Sequence, residues 1–201
     1  MNLFLPLLPE IFIFLVSVVL LITGLFIKSS KIINNSAIVS ILIAIFLVLV
    51  QPVQSILDNS FIIDEFSRIF KVMILLGSLA SLIMFSSSKE DLHINVYEFP
   101  ILILFASIGM MVMLSSNDLL SMFIGLELQS LCLYVLASLN RNSLLSSEAG
   151  IKFFILGALS TGLLLFGISY IYGFTGNTNF NLIAVNYNAE SLGLLIGIVF
   201  V

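Results

Sequence analysis

Charged residues are so sparse in this chain that membrane-length apolar runs lie between them. From Ile32 to Leu57 there is none, and the stretches between Glu10 and Lys28, Lys71 and Lys89, and Glu98 and Asp118 are equally bare. About 20 apolar residues in a helix cross the ~30 Å hydrocarbon core of a bilayer. Of the 201 residues, 60% are hydrophobic and 9% charged, where a soluble domain carries about 25% charged residues. Mean hydropathy is +1.24. These proportions exclude a nucleic-acid binder, a disulfide scaffold and an ordinary cytosolic enzyme. The expectation is an all-α, polytopic transmembrane helix bundle forming one domain over 1–201. The gaps between charges place six full spans at about 7–27, 35–51, 67–85, 99–114, 119–139 and 148–172, with a partial seventh at 190–201.

The remaining charges say where the chain meets water. Seven Lys and Arg against eleven Asp and Glu leave a net charge of −4, which provides no basic face for phosphates or anionic headgroups. The loops after spans one, three and five hold Lys28, Lys31, Lys89 and Arg141, while the opposite side has only Arg68 and Lys71, read here as entering the third span. The positive-inside rule therefore puts the amino terminus on the outer side. One Cys (Cys132) and one His (His93) exclude an internal disulfide and any iron–sulfur or zinc cluster made from this chain's own thiols. The amino end has no Arg-rich or basic leader pattern. Richness in Ile, Phe, Asn and Ser suits an A/T-rich gene and points toward an organelle, with a bacterial inner membrane as the alternative. The last apolar segment, 191–201, makes about 16 Å of helix, too short to span; the expectation is a re-entrant end or a second chain that continues the subunit.

Two ionisable residues stand apart from the span ends. Glu127 lies among Leu126, Leu128 and Leu131 deep in the fifth span. An intramembrane carboxylate costs several kcal/mol unless neutral, hydrated or paired, and is a functional candidate by default. Ser130 and Tyr134 on the same helical face are candidates to hold a water chain beside it. Lys152 has two readings. It follows Glu148 by one helical turn, the favourable order for a surface ion pair, yet its neighbours in Ala149-Gly-Ile-Lys-Phe-Phe-Ile are apolar, and a buried lysine is apt for proton relay. Asp118 is expected as a helix cap. Ala158 and Gly162 have the small-x-x-x-small spacing that lets helices approach closely.

The stretches Gly125-Leu-Glu-Leu-Gln-Ser-Leu-Cys-Leu-Tyr-Val-Leu136, Ser147-Glu-Ala-Gly-Ile-Lys-Phe-Phe-Ile-Leu-Gly-Ala-Leu-Ser160 and Leu165-Phe-Gly-Ile-Ser-Tyr-Ile-Tyr-Gly-Phe-Thr-Gly176 resemble the antiporter-like subunits of respiratory complex I, the proton-pumping NADH:ubiquinone oxidoreductase, and subunit 2 in particular. Leu8-Pro-Glu-Ile-Phe12 and Tyr97-Glu-Phe-Pro-Ile-Leu-Ile-Leu104 fit the same family. The resemblance implies inverted five-helix repeats, with Glu127 as the acid of the fifth helix and Lys152 as the lysine of the sixth. It also implies a further lysine on a broken seventh helix, which this sequence does not contain. The implied role is a non-redox, proton-translocating subunit that binds no cofactor itself, because flavin, iron–sulfur clusters and the NADH site belong to other subunits. Implied partners are other membrane-arm subunits, among them subunits 4 and 4L, in the mitochondrial inner membrane. The alternatives are a cation/proton antiporter, a membrane-bound hydrogenase subunit, or a structural scaffold for a conducting chain.

Overall fold

The computed structural model describes residues 6–27, 29–57, 59–88, 97–186 and 191–201. Lys28, Asp58, Lys89, His93 and Glu190, used above to mark loops and span ends, lie outside the described residues. Eight helices and one hairpin are present among the described residues: α1 (Leu8–Ile27), α2 (Ser30–Val50), β1 (Gln54–Ile56), β2 (Phe61–Ile63), α3 (Glu65–Ser88), α4 (Glu98–Ser115), α5 (Leu119–Ala137), α6 (Leu144–Thr175), α7 (Phe180–Val185) and α8 (Leu192–Phe200). The first six helices are long and apolar enough to cross a membrane.

α4 is the centre of the bundle and packs on α1, α3 and α5; α2 closes against α1 and α3, and α6 against α5 and α8. The main core joins α1 to α4 through Ile13, Ile33, Ile41, Leu75, Leu82, Leu104 and Met111, all at most 2% exposed. A second cluster, Leu119, Ile168, Ile171 and Leu194, holds the far end of α6 against α8. Between α4 and α5 the backbones nearly touch. A methyl group on Gly109 would stand 2.6 Å from the Gly125 carbonyl, and one on Gly125 2.7 Å from the Gly109 carbonyl.

Several elements differ from their sequence-based bounds, each for a local reason. α2 begins at Ser30, before the expected 35, because the polar Asn34 is buried and donates to the Leu82 carbonyl of α3 at 3.4 Å. α6 runs 32 residues, about 48 Å of helix, from the Ser143 cap to Gly176 in the left-handed conformation at φ 70°. Between the expected spans, 54–56 and 61–63 form the hairpin and 180–185 form α7. The Ala158 and Gly162 stripe does not pack: nothing lies within 4 Å of a methyl group placed on Gly162. Close approach falls instead at Gly109, Gly125, Gly157 and Gly167, the glycines that face α5, α4 and α8.

One end of the bundle is laced by its loops. Asn117 donates from its backbone to the Ser60 carbonyl at 2.8 Å and from its side chain to the Asn59 carbonyl at 2.9 Å. Asn179 donates to the same Asn59 carbonyl at 3.2 Å, and Leu119 to the Thr178 carbonyl at 2.9 Å. This hairpin face carries the start of α1 as well, since Gln51 donates from its side-chain amide to the Pro6 carbonyl.

Candidate functional site

Asp118 sets the position of α5. Its extended backbone ends the preceding loop while Oδ1 accepts from Leu120 N at 2.9 Å and Ser121 N at 3.3 Å. Oδ2 accepts from the Thr178 hydroxyl at 2.6 Å. This is the cap that a β-region aspartate provides to otherwise unpaired N–H groups. From it, a rise of about 1.5 Å per residue puts Glu127 roughly 13 Å inside the helix.

Glu127 is half-buried, at the seam between two faces of α5. To one side lie Phe123, packed on the α6–α8 cluster, and Tyr134, 7% exposed. To the other lie Ile124 and Leu131, which are open. Its Oε2 is enclosed and meets no hydrogen-bond partner among the described residues. A buried carboxylate oxygen without a donor is costly when charged, so the group has capacity to engage a donor brought to it. Tyr134, one of the two residues expected to line a water chain, is instead wedged against α6. Its ring meets Phe153 and Phe154 edge-on at 4.8 and 5.8 Å, and its hydroxyl fills the space beside Gly157.

Those contacts also separate Lys152 from Glu127. α5 and α6 run antiparallel with Tyr134 level with residues 153–157, so Glu127 stands near the level of residue 162. That is about 15 Å along the axis from Lys152 at 1.5 Å per residue. Lys152 is bonded to Glu148 Oε1 at 2.5 Å, and the two side chains are 69% and 57% exposed. Of the two readings of this lysine, the structure has the ion pair one turn apart, and the two expected site residues are not brought together.

The structure joins a different pair. Lys71, read from the sequence as one of the span-end cations, is completely buried, and its ammonium donates to Glu10 Oε1 at 2.6 Å; Glu10 is itself 5% exposed. The correction has a geometric cause. Lys71 lies almost two turns inside α3, about 9 Å past Glu65, on the side that faces α1. A lysine in that position needs a buried acid, and Glu10, in the otherwise apolar opening of α1, was the available one. That complementarity was readable; the shared packing of α1 and α3 on α2 and α4, which lets the two side chains meet, was not.

Comparison with known proteins follows the same geometry. Residues 116–201, from the α5 cap onward, match the family described as NADH:quinone oxidoreductase/Mrp antiporter, TM. NADH-quinone oxidoreductase subunit N of Pelagibacter ubique is 47% identical over 198 residues, covering 96% of this chain and 42% of that protein. The subunit of the same name from Bartonella bacilliformis is 48% identical over 202 residues, covering 96% and 41%. A chain of respiratory complex I from Thermus thermophilus, solved with bound aureothin, superposes with a TM-score of 0.73 at 26% identity, covering 94% of this chain and 42% of that one. The chain thus spans about two fifths of the curated relatives it matches, and the relatives it is similar to are subunit N of NADH-quinone oxidoreductases.

Proposed function

We propose that this chain is part of a proton-translocating membrane-arm subunit of an NADH:quinone oxidoreductase, carrying a portion of the proton path coupled to electron transfer. The observation that supports it most directly is Glu127: an intramembrane carboxylate with an enclosed, unpartnered oxygen, on the helix whose cap opens the family match. Such a group can take a proton from water and return it without any redox chemistry of its own. The redox centres belong to other subunits, and this chain holds no cofactor. Lys152 lies too far along α6 for a direct bond and joins Glu127 through water. The partners are the other membrane-arm subunits, with subunits 4 and 4L as the specific candidates. The setting is an inner membrane, the mitochondrial one if the chain is the counterpart of subunit 2.

The family description also names Mrp antiporters, which supports a second reading as an ion/proton antiporter subunit. The deciding experiment is Glu127→Gln in the assembled complex, a change that keeps shape and removes titration. Assembly and NADH oxidation with an artificial acceptor are expected to persist while the ratio of protons moved to electrons transferred falls. An unchanged ratio would sink the assignment.

A further inference from the structure

The buried pair of α1 and α3 is surrounded by more polar capacity than it uses. Glu10 Oε1 is taken by Lys71, but Oε2 is enclosed and meets no partner among the described residues; nor do Gln51 Oε1 at the end of α2 and Arg68 Nε one turn before Lys71. These groups are mutually anchored. Arg68 Nη2 donates to the Gln51 carbonyl at 2.6 Å, Gln51 donates to the Pro6 carbonyl, and Pro6 precedes Glu10 by one turn. Arg68 also reaches outward, to the 70%-exposed carboxylate of Glu65 at 2.9 Å. Hydrogen bonds therefore run from the hairpin face, at Glu65, through Arg68 and Gln51 to the Pro6 carbonyl, one turn before Glu10, which Lys71 engages directly. Three buried polar atoms with unused bonding capacity along one short row are what an ordered-water thread requires.

A buried ion pair is poor evidence of added stability, since well-packed apolar residues serve as well or better. Lys71 lies about 9 Å past Glu65 in α3 and Glu10 in the first turn of α1, so the pair is nearer the hairpin face than Glu127, which is roughly 13 Å past Asp118. We propose that Glu10 is a second proton-carrying carboxyl, with Lys71 as its positioning residue, and that it exchanges protons with water on the hairpin face through the Arg68 and Gln51 row. In the resting pair the ammonium faces the carboxylate. Loading adds one proton to Glu10 Oε2, leaving Lys71 charged, and unloading returns that proton to the same water row. No electron moves and no bond other than O–H forms or breaks. The proposal rests on the proton-translocating reading of the chain, and the two fail separately.

The test is the assembled complex in liposomes with Glu10→Gln and Lys71→Met made together, so that neither charge is left buried alone. Expected are normal assembly, normal NADH oxidation with an artificial acceptor, and a proton-to-electron ratio below that of the parent. The exchanged pair, Glu10→Lys with Lys71→Glu, restores a titratable carboxyl and is expected to recover the ratio. A doubly neutral complex that pumps at the parent ratio would overturn the proposal and leave the pair as packing. Comparison with Glu127→Gln separates the two ideas: if that change also leaves pumping intact, the translocating reading fails with it. Should the doubly neutral chain not assemble, turnover-induced infrared difference spectra of the parent complex decide. A protonated-carboxyl band that shifts in Glu10→Asp supports the carrier, and its absence overturns it.

Discussion

Glu127 and Lys152 occupy neighbouring helices and still do not meet, because α6 presents Lys152 one turn beyond Glu148 and well away from the level of Glu127. An exposed pair of this spacing contributes about 0.3–0.5 kcal/mol. Lys152→Met is accordingly expected to assemble normally and to lower proton pumping, read as the proton-to-electron ratio in liposomes. Loss of assembly, recovered when Glu148→Lys and Lys152→Glu are made together, would show that the pair is structural and remove Lys152 from the path. Glu10 and Lys71 differ because both are enclosed. Removing one partner strands the other charge, at a cost of about 3–5 kcal/mol, which is why single changes there test folding and only the paired change tests function.

Among the elements, α4 and α5 are held at a separation that only glycine permits at two facing positions. In lipid, helices gain little from burying one more apolar side chain, and close van der Waals packing of small residues carries the association. Gly109→Ala would force its methyl group against the Gly125 carbonyl and push α5 away. A loss of about 1–3 kcal/mol, typical of overpacking, is expected. Gly162→Ala, where no atom lies within 4 Å of the added carbon, is expected to be neutral or to gain up to about 1 kcal/mol from helix propensity. Thermal melts of the detergent-solubilised complex compare the two; equal effects would contradict the packing described. The small-residue stripe of α6 was legible as a motif, but a motif of small residues does not say which face a neighbour will choose.

At the scale of the molecule, the hairpin, the start of α5 and the 177–180 segment are tied into one cover over one end of the bundle. Asp118 is the junction: it caps α5 and binds Thr178 with its two oxygens. Asp118→Ala is expected to cost about 0.5–2 kcal/mol from the lost cap and to raise hydrogen exchange around Asn59 and Thr178. Exchange confined to the first turn of α5 would mean that the cover is held without Asp118.

Membrane spans, the cap at Asp118 and the depth of Glu127 were determined by the sequence alone, because hydrocarbon penalises each charge and each unpaired amide where it stands, without reference to the rest of the fold. Helices that are apolar all round carry no periodic stripe to point inward, so the sequence left open which faces pack. Only the tertiary structure could seat Gly109 on Gly125, turn Lys152 outward, and bring Lys71 to Glu10 across 61 residues of chain. That last contact depends on α1 and α3 both packing on α2 and α4, so that two long side chains meet between them, and the pattern of apolar residues in either helix contains no record of that arrangement.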